Sequence, residues 1–115
     1  MLGNTRRAFD LPRRLYPAAE FWAPGSDHDL WHPRWLETLV GLLDADPRVV
    51  LAYPVTERID EHGVPYHRRK SSWRFETRGL PDPRERLRRS FRGMAAGDMI
   101  YGLFRVEVLD RVGSY

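Results

Sequence analysis

One helix–strand segment near the middle of the chain constrains the fold more than any other feature. Apolar side chains recur at helical spacing from Trp35 to Leu43, directly after Pro33, a residue that the first turn of a helix tolerates. Pro47 then ends the helix, and the uninterrupted apolar run 49–53 follows it. A short apolar run without polar alternation predicts a strand buried on both faces. A helix that leads directly into such a strand indicates half of a βαβ unit and therefore an α/β fold.

An acidic turn precedes this helix. Phe21 and Trp22 predict the first strand of the unit, and Asp27 and Asp29 follow it with one residue between them. Such side chains point the same way on an extended chain, so both carboxylates are able to converge on one hard cation. Open α/β sheets bind ligands outside the carboxyl ends of their strands. The pair is therefore a candidate metal site; the alternative is two carboxylates that the dipole favours near a helix N-terminus.

The second half of the chain carries weaker structural signals. Asp82 is expected to cap a basic helix through Phe91, with Leu87, Phe91 and Met94 along its inner stripe. Three further elements are expected: a turn at 60–63, a strand at 99–104 and a short helix from Val106 to Val112, ended by Gly113.

Length and composition predict one small domain over residues 1–115. The chain has no cysteine, which excludes disulfides, a thiolate zinc site and a cysteine nucleophile, and which fits a reducing compartment. No apolar run reaches the length of a membrane span, and the first residues lack the apolar core of a signal peptide. We therefore expect a cytoplasmic protein without a membrane span.

The basic residues are almost all arginine and are concentrated in the second half. Nineteen basic residues include one lysine, Lys70, and Trp73 and Phe75 lie among them. Arginine forks and aromatic rings are the side chains that grip phosphates and stack on bases, so a nucleic-acid-binding module is one hypothesis. Sixteen acidic residues dilute that charge, and no known recognition motif is present. A solvated helix face is the simpler interpretation.

An ordered series of short motifs runs from about residue 4 to the end of the chain. Its members are Phe21-Trp22-Ala23, Ser26-Asp27-His28-Asp29-Leu30-Trp31-His32-Pro33, Trp35-Leu36-Glu37, Leu43-Asp44-Ala45-Asp46-Pro47, Val49-Val50-Leu51-Ala52-Tyr53, Ile59-Asp60-Glu61-His62-Gly63 and Tyr101-Gly102-Leu103-Phe104-Arg105. This series resembles the middle of the family 2 glycosyltransferases. An Asp-x-Asp triplet alone arises often by chance, whereas the order and spacing of the series are more specific.

The resemblance implies a GT-A fold, a Rossmann-like three-layer α/β/α sandwich with a small, mostly parallel sheet. It also implies transfer of a sugar from a nucleotide-diphosphate donor to an acceptor. Asp27 and Asp29 match the Asp-x-Asp motif of the family, which holds Mg²⁺ or Mn²⁺ on the donor diphosphate. In this interpretation Asp29 is the direct metal ligand, while Asp27 faces the ribose or a metal-bound water. Trp31 is the expected pocket wall, and Arg105 either meets a phosphate or forms an ion pair with a neighbouring acid.

Two expected parts of the family pattern are not matched. These are the apolar strand and turn that hold the nucleotide base, before the first motif, and the later acidic residue that removes the proton of the acceptor. We therefore expect a central, incomplete portion of the domain that is inactive alone. The alternative is a non-catalytic remnant or interaction module whose exposed sheet faces are covered by a partner or by a second copy in a homo-oligomer. His28 and His32, together with the two aspartates, leave a zinc site open as a further alternative.

Overall fold

The computed structural model describes residues 2–66, 76–93 and 98–113. Within these ranges the chain forms four α-helices, three strands and one 3₁₀-helix, so the predicted mixture of helices and strands is confirmed. The elements are α1 (Leu2–Leu15), β1 (Phe21–Trp22), α2 (Trp35–Ala45), β2 (Leu51–Ala52), α3 (Pro83–Gly93), the 3₁₀-helix (Asp98–Tyr101), β3 (Leu103–Arg105) and α4 (Val106–Val112). Lys70, Trp73, Phe75 and Met94 lie outside the described residues.

The chain folds as two compact units. The first is built from residues 1–53 and 99–115, which contribute the three-stranded sheet, α1, α2 and α4. The second is built from residues 54–98, which contribute a short antiparallel bridge and α3. The candidate acidic pair belongs to the first unit.

β3 is the central strand of the sheet. The strand order is β1-β3-β2, and β3 pairs antiparallel with both of its neighbours. β1 and β2 therefore run in the same direction and are connected through α2, but β3 separates them. The prediction of a mostly parallel sheet is wrong for the described residues. An apolar run indicates that a strand is buried, but it carries no information on the direction of a partner that comes from a distant segment.

The two faces of the sheet contact different helices. Phe21 and Leu103 pack with the inner side of α2, while Trp22 contacts Phe9 of α1 edge to face, with 5.5 Å between the ring centroids. Trp22 also lies 6.2 Å from the ring of Phe104, its cross-strand partner. Adjacent residues of a strand point to opposite faces. β1 and β3 therefore each supply side chains both to the α2 side and to the α1 side of the sheet.

The main core cluster lies between α2 and the sheet. Leu39 and Leu43 are buried on α2 and contact Ala52 and Leu103, with Trp35 partly buried beside them. The predicted apolar face of this helix is therefore confirmed. α2 begins at Trp35, so Pro33 lies in the preceding turn and not in the first turn of the helix.

Local signals at the ends of helices are confirmed in two places. The Asp82 Oδ1 accepts the backbone N–H of Arg84 at 2.9 Å, which satisfies an amide of the first turn of α3. α4 spans Val106–Val112 and ends at Gly113, whose φ of 75° lies in the left-handed region that glycine adopts without strain.

The turn at 60–63 is also confirmed, whereas the strand expected at 99–104 is shorter than predicted. The Asp60 Oδ1 accepts the N–H groups of His62 and Val64, each at 2.9 Å. This turn connects Ile59 and Pro65, which form an antiparallel bridge. In place of the start of the expected strand, the backbone forms the 3₁₀-helix, and only residues 103–105 are extended.

The predicted inner stripe of α3 is wrong where the structure describes it. Leu87 is 57% exposed and Phe91 is 72% exposed. The 3.6-residue periodicity is present, but it does not correspond to burial. Periodicity identifies a face of a helix, and only the tertiary structure decides whether anything covers that face.

The helices in the described part of the chain are short. The longest, α1, has 14 residues, contains Pro12 and buries Phe9. Across the described ranges, none of the helices combines the length and the apolar character that a bilayer crossing requires.

Gly102 allows β2 and the segment before β3 to approach each other closely. A Cβ at this position would lie 2.8 Å from the carbonyl oxygen of Ala52 and 3.0 Å from the Cβ of Tyr53, and it would overlap the Cδ1 of Leu51. Because one of these atoms belongs to the backbone, relief of the overlap requires the strands to separate. Pairing of the sheet therefore depends on the absence of a side chain at Gly102.

We expect Gly102→Ala to lower the free energy of unfolding by roughly 1–3 kcal/mol, since it overpacks a strand junction. The midpoint of urea unfolding, followed by circular dichroism, measures this change. Gly41→Ala is the matched control, because a Cβ at Gly41 meets no atom within 4 Å and Gly41 lies inside α2. That control should raise stability by about 0.5–1 kcal/mol. Equal midpoints for Gly102→Ala and the unaltered chain would contradict the argument.

Candidate functional site

The acidic pair lies in the connection between β1 and α2. This connection, residues 23–34, leaves the carboxyl end of β1. Because β3 is antiparallel to β1, Tyr101 and Gly102 precede β3 near the carboxyl end of β1, whereas Arg105 pairs with Phe21 at the amino end of β1. The topology therefore places the connection and Tyr101 at one end of the strands and Arg105 at the opposite end.

Asp27 is held by a local hydrogen-bond network. Its Oδ1 lies 3.0 Å from the Nδ1 of His28, and the Oγ of Ser26 lies 2.9 Å from the same nitrogen. Both Asp27 and His28 are highly exposed. The hydrogen bond from His28 lowers the pKa of the Asp27 carboxyl. The same bond raises the pKa of the His28 imidazole, and the charge of Asp29 raises it further.

Asp29 is exposed and accepts no hydrogen bond from the described residues. Its carboxylate is therefore accessible to solvent, while the carboxylate of Asp27 is hydrogen-bonded to His28. The two carboxylates are one residue apart but have different surroundings. A cation that meets Asp27 competes with this hydrogen bond, whereas at Asp29 it meets no hydrogen bond from the described residues.

An aromatic cluster anchors the end of the acidic connection. The ring of Trp31 lies 4.3 Å from that of Trp35 and 6.3 Å from that of Tyr101. Trp31 is half-buried, so one part of it packs and the remainder stays accessible. Trp35 packs against the core cluster, and its buried Nε1 has no hydrogen-bond partner among the described residues, which indicates placement by packing alone. The cluster fixes the carboxyl end of the acidic segment against α2.

The guanidinium of Arg105 donates hydrogen bonds to backbone carbonyl groups. Its Nε donates to the carbonyl oxygen of Val49 at 2.9 Å, and its Nη2 donates to the carbonyl oxygen of Leu43 near the end of α2. The guanidinium also lies 5.4 Å from the ring centroid of Phe21. The guanidinium thus joins the carbonyl of Leu43, which also accepts the N–H of Asp46 at the end of α2, to the carbonyl of Val49, which precedes β2. The structure thus separates Arg105 from Asp27 and Asp29, the residues with which it was grouped from the sequence.

The described residues do not assemble a set of three protein ligands for a metal. No group of three histidine or acidic side chains within the described ranges is placed to hold an ion. His32 instead uses its Nδ1 to accept the backbone N–H of Arg34 at 3.1 Å. This arrangement does not fit zinc in a closed site, which takes four ligands. Two exposed carboxylates do fit Mg²⁺ or Mn²⁺ that retains several waters and is shared with phosphate oxygens.

An open depression of about 500 Å³ lies elsewhere, and its lining comes from α1 and α4. The Nη2 of Arg13 contacts the Oδ2 of Asp110 at 2.8 Å within it. This ion pair gives Asp110 a structural role. The pairing was not expected from the sequence, because 97 positions separate the two residues and no local pattern reports it.

The pair formed by Asp27 and His28 predicts a specific titration. The two groups are both charged only above the lowered pKa of Asp27 and below the raised pKa of His28. In Asp27→Asn, the pKa of His28 should fall back toward its ordinary value, because the largest cause of the shift is removed. The imidazole proton resonance, followed by NMR across neutral pH, measures this pKa. Asp44→Asn on α2 removes the same charge elsewhere, and an equal fall in that variant would refute the assignment.

The backbone contacts of Arg105 predict a loss of stability on substitution. Arg105→Met keeps an unbranched side chain but removes both donors, so the carbonyls of Leu43 and Val49 lose their hydrogen bonds to the guanidinium. We expect a decrease of about 1–3 kcal/mol in the free energy of unfolding. Arg111→Met is the control, because that side chain is exposed and only 3.9 Å from Glu107 in a weak surface pair. Urea unfolding should therefore give a lower midpoint for Arg105→Met than for Arg111→Met. Indistinguishable unfolding curves would mean that Arg105 contributes nothing to stability through these hydrogen bonds.

No protein-family model matches the sequence, and no curated protein or solved structure is significantly similar to it. Interpretation of the site therefore rests on its residues and their geometry. The geometry consists of two unlike carboxylates on an aromatic-anchored connection at the carboxyl end of a strand.

Proposed function

We propose that this chain is a family 2 glycosyltransferase-like protein, whose acidic connection binds the diphosphate of a nucleotide-sugar donor through Mg²⁺ or Mn²⁺. The observation that carries the proposal is the exposed Asp29 carboxylate, which no described donor engages, just beyond the carboxyl end of β1. The connection keeps the strand-to-helix order of β1 and α2, and open α/β sheets bind ligands beyond the carboxyl ends of such strands, although β3 is antiparallel here. The ordered series of motifs supports the same proposal.

The two carboxylates have separate roles in this proposal. Asp29 is the metal ligand, because its carboxylate is exposed and accepts no hydrogen bond from the described residues. Asp27, which is already hydrogen-bonded to His28, orients a metal-bound water or the ribose. When bound, the cation neutralises negative charge on the leaving diphosphate. Few protein ligands suit an ion that arrives with its phosphate substrate.

Trp31 and Arg105 enter the proposal differently. Trp31 forms one wall beside the acidic pair, because its ring is half-buried and held by Trp35 and Tyr101. Arg105 has no part in donor binding in this proposal. Its guanidinium donates to the carbonyls of Val49 and Leu43 at the end of the strands opposite to the acidic connection. It acts on the site only by supporting the end of α2.

The second candidate function is a non-catalytic interaction module. Large apolar side chains in the first unit are exposed without a function in the proposed site; examples are Leu15 at 63% and Tyr16 at 68%. Exposed apolar surface of this kind suits a partner or a second copy of the chain. Two measurements together distinguish the two candidate functions: sedimentation equilibrium and nucleotide binding. A stable dimer that binds no nucleotide favours the interaction module.

The decisive experiment is calorimetric titration with uridine and guanosine diphosphates, since the base is not specified. We expect binding with Mn²⁺ and none with a chelator. Asp29→Asn should weaken binding at least about tenfold, because a charged ligand to the cation is removed. Asp44→Asn removes an identical charge from an exposed position of α2, and this variant should bind the diphosphates as tightly as the unaltered chain.

Binding that is unaffected by the chelator or by Asp29→Asn would overturn the proposal. The same result would follow if the Asp44→Asn control lost as much affinity as Asp29→Asn, because general negative charge would then account for the effect. Absence of binding to either diphosphate in the presence of Mn²⁺ would favour the interaction module.

A further inference from the structure

α3 is a basic helix whose apolar stripe is exposed. The helix contains five arginines and one glutamate within Pro83–Gly93. Pro83, Leu87 and Phe91 recur at intervals of four residues and therefore lie along one stripe. Leu87 and Phe91 are 57% and 72% exposed, so this stripe is not part of a core.

The arginines flank the stripe on both sides. Arg84 and Arg88 each follow an apolar position by one residue and lie about 100° to one side of it, whereas Arg86 lies on the other side. The Nη1 of Arg86 donates to the carbonyl oxygens of Leu80 and Pro81, at 2.9 and 3.3 Å. This contact holds the guanidinium beside the start of the helix.

The one acidic residue of α3 lies away from the stripe. The carboxylate of Glu85 accepts the Nη1 of Arg88 at 2.6 Å and lies 3.7 Å from the Nε of Arg89. Glu85 is two positions before Leu87, which places it on the far side of the helix. The stripe is therefore bordered by positive charge, and the negative charge is on the opposite face.

The combination of charge and apolar exposure identifies the occupant. Five arginines favour an anionic surface, and exposed Leu87 and Phe91 favour one that also offers hydrocarbon. A nucleic acid satisfies the first requirement but gives an aliphatic side chain such as Leu87 little to contact. Helices with a basic polar face and an opposing Leu/Phe stripe lie in the interface of anionic bilayers.

We propose that α3 docks the protein on an anionic membrane surface, parallel to the plane of the bilayer. Leu87 and Phe91 enter the boundary between headgroups and acyl chains, while Arg84 and Arg92 contact lipid phosphates. Arginine stems accommodate this geometry because they lie along apolar surface while the charged group reaches the headgroups. The attachment is peripheral and electrostatically assisted, so it weakens with salt. The inference is independent of the proposed transferase function.

The test is flotation of the full chain with lipid vesicles. Vesicles of phosphatidylcholine containing phosphatidylglycerol should bind the protein, and vesicles of phosphatidylcholine alone should bind it much less. Leu87→Ser/Phe91→Ser should weaken binding to the anionic vesicles at least about tenfold, because two apolar side chains no longer leave water. Arg84→Gln/Arg92→Gln should weaken it by a similar factor and reduce its dependence on salt.

The matched control is Leu11→Ser/Leu15→Ser on α1. These leucines are also four residues apart and are 51% and 63% exposed, but they belong to a different helix. The control should float like the unaltered chain. Far-UV circular dichroism and the urea midpoint establish that each variant is folded, which is expected because all four apolar side chains are exposed.

Three outcomes would overturn the proposal. One is equal flotation with neutral and anionic vesicles, and another is equal loss in the α1 control. The third is tighter binding to a single-stranded oligonucleotide than to vesicles, unchanged by Leu87→Ser/Phe91→Ser, which would assign the arginines to nucleic acid. Flotation that is lost in both α3 variants and retained in the control supports the membrane surface.

Discussion

Antiparallel insertion of β3 between β1 and β2 is the interaction on which the first unit depends. Phe104 pairs with both neighbouring strands, while Arg105 pairs with β1 and Leu103 with β2. The same pairing places Leu103 in the α2 cluster, Phe104 against Trp22, and the guanidinium of Arg105 on the carbonyl of Leu43 near the end of α2. Each neighbouring strand has only two residues, so neither forms a sheet without this partner. The direction of the acidic connection follows from this pairing.

The acidic connection shows how a small sheet produces chemically distinct carboxylates. Its start is fixed by β1, and its end is fixed by the packing of Trp31 on Trp35. Between these anchors, Asp27 is hydrogen-bonded to His28, while Asp29 is exposed and accepts no hydrogen bond from the described residues. The proposed division between a metal ligand and an orienting group rests on that difference. Burial contributes little, because both Asp27 and Asp29 are exposed.

Local patterns predicted the elements whose causes are local. The Leu39 and Leu43 face of α2, the Asp82 cap and the termination of α4 at Gly113 each depend on neighbours within one or two helical turns. The acidic segment follows a strand, as predicted, for the same reason: the aromatic pair and the acidic residues are close in sequence. Its binding role is untested by the fold and stays a prediction.

Features that depend on distant residues were not predictable. The direction of β3 is set by partners across the whole of residues 54–98, so an apolar run contained no record of it. Arg105 was grouped with the donor site because a guanidinium suits phosphate, but 62 positions separate it from the carbonyl of Leu43 that it binds. The stripe of α3 was assigned to a core because its period is helical, whereas Leu87 and Phe91 face solvent.

The discontinuous first unit also sets an order of events during synthesis. β1, α2 and β2 leave the ribosome before the second unit, but the strand that joins them emerges only after residues 54–98 are complete. Until then both strand edges lack their partner, and the core face of α2 lacks Leu103. Productive folding of the nascent chain therefore waits for residues 103–105, and that interval is when Phe21 and Leu51 are most exposed to misassociation.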